Sequence, residues 1–548
     1  MYTNARVNKK SETIDVVERV NDKRLFTSYP IDYSFYISSP NGEYRSIYGD
    51  AVTKVVPKSS TEFHKEVAMM RGKKIWESDI NPIFKCLAEY YKGKAAPKLN
   101  IAFFDIEVDF SNEKGYAPIE DPFNKITSIT IYLKWTNQLI TLAIPPDSVE
   151  LQAAQDIAAK FDNTIIFTDE SQMIDAFFQL IDDADVITGW NSEGFDIPYL
   201  INRVARIMSK DDTRRMCLWG EKPKIKTIEK YGKEFNSYEL VGRTHLDLMD
   251  VYRKFTYEER HSYSLNAIAE HELGKSKTPY SGSLDKLYND DFEKFIEYNR
   301  QDVILLYELE DKLKFLDLLN VLAHKTKTLM VNCMGTVAMT DQAIINRAHE
   351  LGLVVPNKGK YGEADDDGAA GAYVAQPKAG IHEYVGVIDI NSLYPSTIRA
   401  LNMGIETIVG QLRPVLTDFF IAEKFRTVKN MTYANAWQDQ FGSQEYQAVM
   451  EQKAGVDITI DWEHNGKSDT LTAKQCHDLI FNSGKPWMIS GNGTIFSYER
   501  NAIIPGLLAA WYKDRKDFQQ QKKDAADLQY GITLSKNCLD QLSDLTIQ

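Results

Sequence analysis

Blocks of apolar and polar residues follow one another along the chain and predict most of its strands and helices. Residues 99–110 form an apolar strand that ends in acids, and residues 126–135 alternate as the next strand should. Residues 184–190 predict another buried strand, which is followed by a loop and a helix from Pro198. Residues 291–318 carry apolar side chains at helical spacing. Strands that alternate with helices in this order favour a sheet covered on both faces.

The flanking regions are less regular. Residues 1–98 mix strand-like stretches with a predicted helix near 62–72, and residues 222–251 predict a hairpin and a further strand. The Gly-rich stretch 357–380 is typical of a linker, and we expect its acidic run to be a solvated loop rather than a metal site. Residues 410–490 fit no single pattern and are predicted to be mixed or inserted.

The length of 548 residues is too great for one core, so three or four domains are expected. A single helix is predicted from residue 503, with Pro505 in its first turn. The predicted domains are 1–98 plus 315–356, 99–314, 357–502 and 503–548. The predicted fold class is a multidomain chain of α/β and α+β type.

Composition sets only broad limits on function. Hydrophobic residues make up 43% and charged residues 26%, which is ordinary for a globular protein. Five scattered cysteines without a CxxC pair argue against a zinc site or a disulfide framework, and no signal peptide is apparent. We therefore expect the chain in the cytoplasm, with no membrane partner. The net charge of −14 does not exclude nucleic-acid binding, since phosphates need only a local basic track.

Acidic side chains recur at spacings that point to chemistry. Asp105 and Glu107 lie two residues apart on a predicted strand, so their carboxylates face the same side. Asp196 begins a predicted helix, and Tyr298 and Asp302 lie one helical turn apart. A solvent-facing strand would explain the first pair alone. The order of the three motifs over about 200 residues favours one shared site.

A cluster of four carboxylates is unstable unless cations neutralise it, because like charges raise one another's pKa. Mg²⁺ prefers carboxylate, water and phosphate oxygens. We therefore expect Asp105, Glu107, Asp196 and Asp302 to bind two Mg²⁺ ions, and Tyr298 to position the attacking water. The three motifs resemble those of the DnaQ-like 3′→5′ exonucleases, which implies an RNase H-like domain.

A second motif, DINSLYPSTIRALNM, begins at Asp389 and predicts a strand ending there, then a turn and a helix. It resembles motif A of the family B DNA polymerases, and FDIEVDF resembles the first exonuclease motif of the same family. The resemblance implies that Asp389 binds two Mg²⁺ ions with a second acid. It also implies that Ser392, Leu393 and Tyr394 contact the incoming nucleotide, with Asn402 continuing the match. A buried strand and turn of no catalytic role is the alternative.

The helix from 503 resembles the first finger helix of this family, in which Arg515 matches the triphosphate-binding arginine. The lysine expected four residues later is Gln519, and whether Lys522 replaces it is open. A basic, solvated helix face is the alternative. GAAGAYV at 368–374 resembles the loop between exonuclease and palm domains. The hairpin near 222–243 resembles the strand-separating hairpin of the phage polymerases, although an ordinary structural hairpin is equally compatible.

The resemblance runs through most of the chain in order and is strongest to the replicative polymerases of T-even-like phages. It implies an N-terminal domain, a complete 3′→5′ exonuclease, part of a palm and one finger helix. The sequence has no KxxxNSxYG helix and no YxDTD motif, so we expect no primer extension by this chain alone. A split polymerase, completed by a second polypeptide carrying motifs B and C, is the leading interpretation, and a truncated product is the alternative.

The implied partners are primer–template DNA, dNTPs, the completing polypeptide and, through it, a sliding clamp. A stand-alone single-strand exonuclease with a vestigial palm is the second interpretation. Regulatory RNA binding by the N-terminal domain, without catalysis, is the third. Substituting Asp105 and Asp196 would abolish activity under the first two interpretations and leave binding intact under the third.

Overall fold

The computed structural model describes residues 1–111, 113–230, 232–358, 377–390, 392–414, 426, 457–463, 466–491 and 493–545. The acidic run at 365–367, the GAAGAYV segment and Asn391 lie outside these ranges. None of the described helices is both long and apolar enough to cross a membrane.

The strands have the following bounds: β1 Tyr2–Asn8, β2 Thr13–Val20, β3 Lys23–Pro30, β4 Phe35–Ser38, β5 Tyr44–Ser46, β6 Ala51–Val55, β7 Ile75–Trp76, β8 Ile101–Val108, β9 Ile126–Leu133, β10 Gln138–Ala143, β11 Thr164–Ile166, β12 Val186–Gly189, β13 Lys224–Lys230, β14 Lys233–Glu239, β15 Thr244–Asp247, β16 Leu353–Val354, β17 Ile408–Pro414, β18 Asp457–Trp462, β19 Ser468–Thr472, β20 Trp487–Ile489 and β21 Thr494–Ser497.

The α-helices have the following bounds: α1 Ser60–Met69, α2 Pro82–Tyr90, α3 Leu151–Ala158, α4 Glu170–Leu180, α5 Asp196–Ile207, α6 Leu248–Phe255, α7 Leu265–Leu273, α8 Leu284–Asp290, α9 Phe292–Leu313, α10 Phe315–Thr326, α11 Thr336–Glu350, α12 Leu393–Ala400, α13 Ala473–His477 and α14 Ile503–Leu545.

The chain divides into two compact units. The first comprises residues 1–34, 56–71 and 80–346, and the second comprises residues 35–55, 72–79 and 347–548. The four domains predicted from the sequence are a finer division and stay a prediction. In the second unit, the described strands form two five-stranded sheets, β16-β5-β6-β4-β7 and β19-β18-β17-β21-β20.

The first unit is built around a six-stranded sheet of order β11-β10-β9-β8-β12-β15. Strand β9 is antiparallel to β8 and β10, whereas β12 is parallel to both β8 and β15. A three-stranded antiparallel sheet, β1-β2-β3, and the hairpin β13–β14 complete its described strands. The mixed α/β architecture agrees with the fold class predicted from the sequence.

Alternation along β8 divides its side chains between two cores. Phe104 and Ile106 pack in the cluster that contains α4 and α5. Ile101 and Phe103 pack on the other face, in the cluster that contains residues of α6, α7, α9 and α10. Because strand side chains alternate, Asp105 projects to the same face as Ile101 and Phe103, where α9 covers the sheet.

The predicted hairpin within 222–251, the helix from 503 and the buried strand within 184–190 are confirmed. The helical structure predicted for 291–318 is confirmed, but it forms two helices, because α9 ends at Leu313 and α10 starts at Phe315. Lys314 between them is left-handed, with φ 56°, a conformation that stops a helix of L-residues.

The strand predicted to end at Asp389 is wrong. Residues 377–390 are described throughout and contain no strand, and Val387 and Ile388 are 88% and 94% exposed. Among the described residues, none forms a strand ladder with this segment. An apolar sequence of strand type stays irregular when no neighbouring strand satisfies its N–H and C=O groups.

A buried ion pair joins the three-stranded sheet to the six-stranded sheet within the first unit. The guanidinium of Arg19 on β2 meets the Asp185 carboxylate through two contacts of 2.8 Å, and both side chains are almost fully buried. Asp185 also accepts a hydrogen bond from the Asn100 N–H at 2.9 Å, directly before β8. The pair therefore anchors the strand that carries Asp105.

We expect Arg19→Met to destabilise the first unit by roughly 3–5 kcal/mol, because it leaves the buried Asp185 carboxylate without its closest cation. The measurement is urea unfolding followed by circular dichroism. Lys160→Met is the matched control, since its ion pair with Glu293 is exposed on both sides and should change stability by less than about 1 kcal/mol. Equal shifts in the two variants would contradict the expectation.

Candidate active site

Three carboxylates converge between β8 and α9. Oxygen atoms of Asp105, Glu107 and Asp302 all lie within 4.8 Å of one another. Asp302 is 2% exposed, and its Oδ1 is a buried atom without a hydrogen-bond partner among the described residues. The sequence predicted this convergence from spacing, and the structure brings the three residues together through the packing of α9 on the sheet.

Asp196 reaches the same site from the first residue of α5. Its Oδ1 accepts a hydrogen bond of 3.2 Å from the Ile106 N–H, between the two acids of β8. The turn that leads to α5 depends on Gly189 at the end of β12. A Cβ at that position would lie 2.7 Å from the carbonyl oxygen of Phe104, so only glycine allows this approach.

Burial makes all four acids reluctant to ionise. Burial raises the pKa of Asp105 well above its ordinary value, and repulsion from Glu107, Asp196 and Asp302 adds to the effect. The pKa of Glu107 rises to about 8 and that of Asp196 to about 7, mainly through burial. The pKa of Asp302 is also raised by burial, although Lys277 opposes the shift.

Lys277 is a site residue that the sequence analysis missed. Its Nζ lies 2.6 Å from Asp302 Oδ2 and donates to the Tyr298 hydroxyl at 3.0 Å. Burial is the largest single influence and lowers the pKa of Lys277, but the combined attraction of Asp302, Tyr298 and Asp105 raises the pKa overall. The residue lies between α7 and α8, outside the three acidic motifs, and no local pattern singles it out.

Asn299 is a second missed residue. Its Nδ2 donates a hydrogen bond of 2.8 Å to Asp105 Oδ2, and the side chain is fully buried. It lies inside the YNRQD motif, between Tyr298 and Asp302, so its position was available from the sequence. Nothing in the sequence indicated that it faces β8 rather than solvent.

The residues of the second motif are arranged differently. Asp389 is exposed, and Tyr394 in the first turn of α12 is 66% exposed. Ser392 has a left-handed backbone with φ 55°, directly before Leu393, the first residue of α12. Among the described residues, no second carboxylate joins Asp389 in a potential metal-binding group.

Helix α14 runs beside α12 in the second unit. The Arg399 guanidinium of α12 lies 4.9 Å from the ring centroid of Tyr512 on α14, as in a cation–π contact. Arg515, one turn further along α14, is exposed. Gln519 and Lys522 are also exposed, so the structure does not select between them.

Asn402 has a bracing role that differs from the nucleotide contact predicted for it. The side chain is 3% exposed, and its Nδ2 donates to the carbonyls of Ser497 and Arg500 at 2.7 and 2.9 Å. Its Oδ1 accepts from the Ala502 N–H at 2.9 Å. These contacts use both N–H groups of the amide and one of the two acceptor positions of its oxygen, and the nucleotide contact of Asn402 stays a prediction.

The donor set of the first site fits a divalent cation. Its ligands are carboxylate oxygens, which suit hard cations such as Mg²⁺, Ca²⁺ or Mn²⁺. The orphaned Oδ1 of Asp302 and the raised carboxylate pKa values both describe a site that a positive charge would stabilise. In the chain as described, Lys277 provides part of that charge.

Two sequence families match the chain. Residues 64–268 match the family described as "DNA polymerase family B, exonuclease domain", and residues 330–436 match "DNA polymerase family B". The first match includes Asp105, Glu107 and Asp196, and the second includes Asp389.

Among curated proteins, the chain is similar to phage and archaeal polymerases. It is 33% identical over 228 residues to the DNA-directed DNA polymerase of Enterobacteria phage T4, covering 42% of this chain and 25% of that protein. It is 29% identical over 336 residues to that of Escherichia phage RB69, covering 58% and 36%. The match to the DNA polymerase of Archaeoglobus fulgidus, 29% over 259 residues, covers 45% and 30%. The matched part of the chain thus spans between a quarter and just over a third of the length of these relatives.

The raised pKa of Glu107 predicts a pH-dependent stability. A carboxyl group whose pKa is raised by folding from 4.5 to about 8 stabilises the fold when protonated, and that stabilisation is lost as pH rises through this interval. In EDTA, we expect the melting temperature of the unsubstituted chain, relative to that of Glu107→Gln, to fall as the pH rises from about 4.5 to about 8 and to level off above that. Mg²⁺ should restore more stability at the higher pH. A difference that does not vary with pH would contradict this account.

Proposed function

Because the chain belongs to the family B DNA polymerases, we propose that its first unit is a 3′→5′ proofreading exonuclease that uses two Mg²⁺ ions. The observation that carries this proposal is the convergence of Asp105, Glu107 and Asp302 within 4.8 Å, with Asp196 hydrogen-bonded between the two acids of β8. The sheet order β10-β9-β8-β12-β15, with β9 antiparallel to β8, supports the RNase H-like fold that the motifs imply.

Each residue of the site has its own role in this reaction. Bound Mg²⁺ would activate the attacking water and stabilise the leaving 3′ oxygen, with two ions about 4 Å apart. Tyr298 accepts a hydrogen bond from Lys277 and is also hydrogen-bonded to the Asp302 carboxylate, so its hydroxyl is held at the site where the water would be oriented. Lys277 also holds the carboxylate of Asp302 at 2.6 Å. Asp196 is kept in place by the Ile106 N–H.

We propose a single-stranded 3′ end of DNA as the substrate. Tyr116, in the segment after β8, is 50% exposed, and its ring packs edge-on against Phe110 at 5.0 Å. Burial and then the charges of Asp285 and Glu107 raise the pKa of Tyr116, which indicates that its ring lies near the acidic site. An exposed aromatic ring at this position suits stacking of an unpaired base.

For the second unit we propose half of a polymerase site. Asp389 would bind Mg²⁺, Ser392, Leu393 and Tyr394 would contact the dNTP, and Arg515 would bind its triphosphate. The contact between Arg399 and Tyr512 supports the pairing of these elements, because it sets the helix of Arg515 beside the motif A helix. Two ions at this site require a second acidic motif, so we propose that a further polypeptide with motifs B and C supplies it.

The exposed segment 381–390 supports this proposal. Three of its apolar side chains, those of Val385, Val387 and Ile388, are between 68% and 94% exposed. An apolar segment of strand-forming composition is stabilised when further strands pair with it.

Primer–template DNA and a sliding clamp are the remaining partners we propose, in the cytoplasm of a phage-infected cell. The stand-alone exonuclease differs from this proposal in needing no completing polypeptide.

Asp105→Ala and Asp302→Ala should each reduce 3′→5′ degradation of a 5′-labelled single strand by at least about 100-fold. Metal ions contribute several kcal/mol of transition-state stabilisation, and 1.36 kcal/mol corresponds to a tenfold rate. Asp109→Asn is the matched control, because Asp109 follows β8 but faces Lys125 at 3.8 Å instead of the cluster. Full activity in both alanine variants would refute the assignment.

With Mg²⁺ and a 5′-labelled primer–template, we expect this chain alone to shorten the primer both with and without dNTPs. When a polypeptide carrying motifs B and C is added, dNTPs should produce extension, and Asp389→Ala should abolish extension without reducing degradation. The separation is expected because the two sites use different carboxylates. Extension by the chain alone would exclude the need for a second polypeptide, and no extension with it would favour the stand-alone exonuclease.

A further inference from the structure

Two consecutive hydrogen bonds between the sheet and α9 end on Asp105, one of the proposed metal ligands. Ser128 on β9 donates to Asn299 Oδ1 on α9 at 2.9 Å, and Asn299 Nδ2 donates to Asp105 Oδ2 at 2.8 Å. Both Ser128 and Asn299 are 0% exposed. Strand β9 is buried along its whole length, so a hydroxyl there is costly unless it is hydrogen-bonded.

The chemistry of these three side chains fixes which group donates and which accepts in each of the two hydrogen bonds. When Asp105 binds a cation its carboxylate is ionised and only accepts hydrogen bonds, so the amide must turn its NH₂ towards it. The carbonyl oxygen of Asn299 then faces Ser128, whose hydroxyl is able to donate. Ser128 lies opposite Glu107 in the β8–β9 ladder, which puts its side chain on the face that carries the acids. In the opposite orientation of the Asn299 amide, its Oδ1 would face Asp105 Oδ2, and two acceptor oxygens would lie together.

We propose that Asn299 is a positioning residue for Asp105 and that Ser128 locks the Asn299 amide in the required orientation. The inference rests on the proposed exonuclease function, in which Asp105 is a metal ligand. A carboxylate held through one oxygen presents the other to a cation in a fixed orientation. Ser128 therefore acts on the metal site through Asn299, without contact to metal or substrate.

The test measures cation binding by isothermal titration calorimetry on the full chain, with Mg²⁺ or Mn²⁺ alone and no DNA. Asn299→Leu keeps the side-chain size but removes the donor, and we expect about 10-fold to 100-fold weaker binding, the range typical when a partner of a metal ligand is lost. Ser128→Ala leaves the Asn299 amide free to rotate and should weaken cation binding by a smaller factor. Ser128→Thr keeps the hydroxyl and should restore binding.

Thr130→Val is the matched control. Thr130 lies on the same strand, is equally buried and faces Asp105 in the ladder, but its hydroxyl pairs with that of Thr141 at 3.1 Å. We expect its cation affinity to equal that of the unsubstituted chain. A similar loss in Thr130→Val and Ser128→Ala would mean that any buried hydroxyl lost from β9 disturbs the site, and would overturn the proposal.

Kinetics give a second readout. In Asn299→Leu and Ser128→Ala, the Mg²⁺ concentration for half-maximal degradation should rise, the KM for DNA should stay unchanged, and excess Mg²⁺ should recover most of kcat. A purely structural defect would not respond to excess cation. If Asn299→Leu does not fold, Ser128→Ala decides the question, and unaltered cation affinity in that variant would refute the locking role.

The outcomes for the unsubstituted chain separate this inference from the proposed function. A chain that neither binds cations nor degrades DNA would refute the exonuclease. A chain that does both, and whose Asn299→Leu variant binds Mg²⁺ equally well, would refute only the positioning role.

Discussion

The cost of charging four carboxylates that lie close together in a largely buried site is the constraint around which the first unit is organised. Asp105, Glu107, Asp196 and Asp302 are held close together although their charges oppose it, and burial makes each charge more costly. Such a cluster is tolerated only when the surrounding fold fixes it and positive charge compensates it. Lys277 supplies one charge in the chain itself, and divalent cations are suited to supply the rest.

The sheet and α9 together enforce this arrangement. The ion pair of Arg19 with Asp185 and the close approach at Gly189 fix β12 against β8. Helix α9 packs its apolar residues on the sheet and thereby carries Asn299 and Asp302 over the acids of β8. The same contacts that stabilise the core thus set the distances between the carboxylates, and a change in core packing would alter the chemistry.

The second unit lacks an equivalent constraint among its described residues. Asp389 lies in an exposed, irregular segment, whereas Asn402 is fixed by three hydrogen bonds to the backbone around Ser497–Ala502. The motif A helix is thus fastened to its own unit, but the segment before it, which carries the carboxylate, has no strand neighbour in the part of the chain described here. The completing polypeptide that we propose would supply what β9, β12 and α9 supply at the first site.

The sequence by itself determined the type of most elements and the identity of the acids, because alternation along β8 and helical spacing at Tyr298 and Asp302 are local patterns. Tertiary structure decided the rest. Lys277 reaches Asp302 across 25 residues, and Asn299 meets Asp105 across 194, so neither contact has a local signature. The strand expected before Asp389 did not form, since a strand depends on partners that its own residues do not provide.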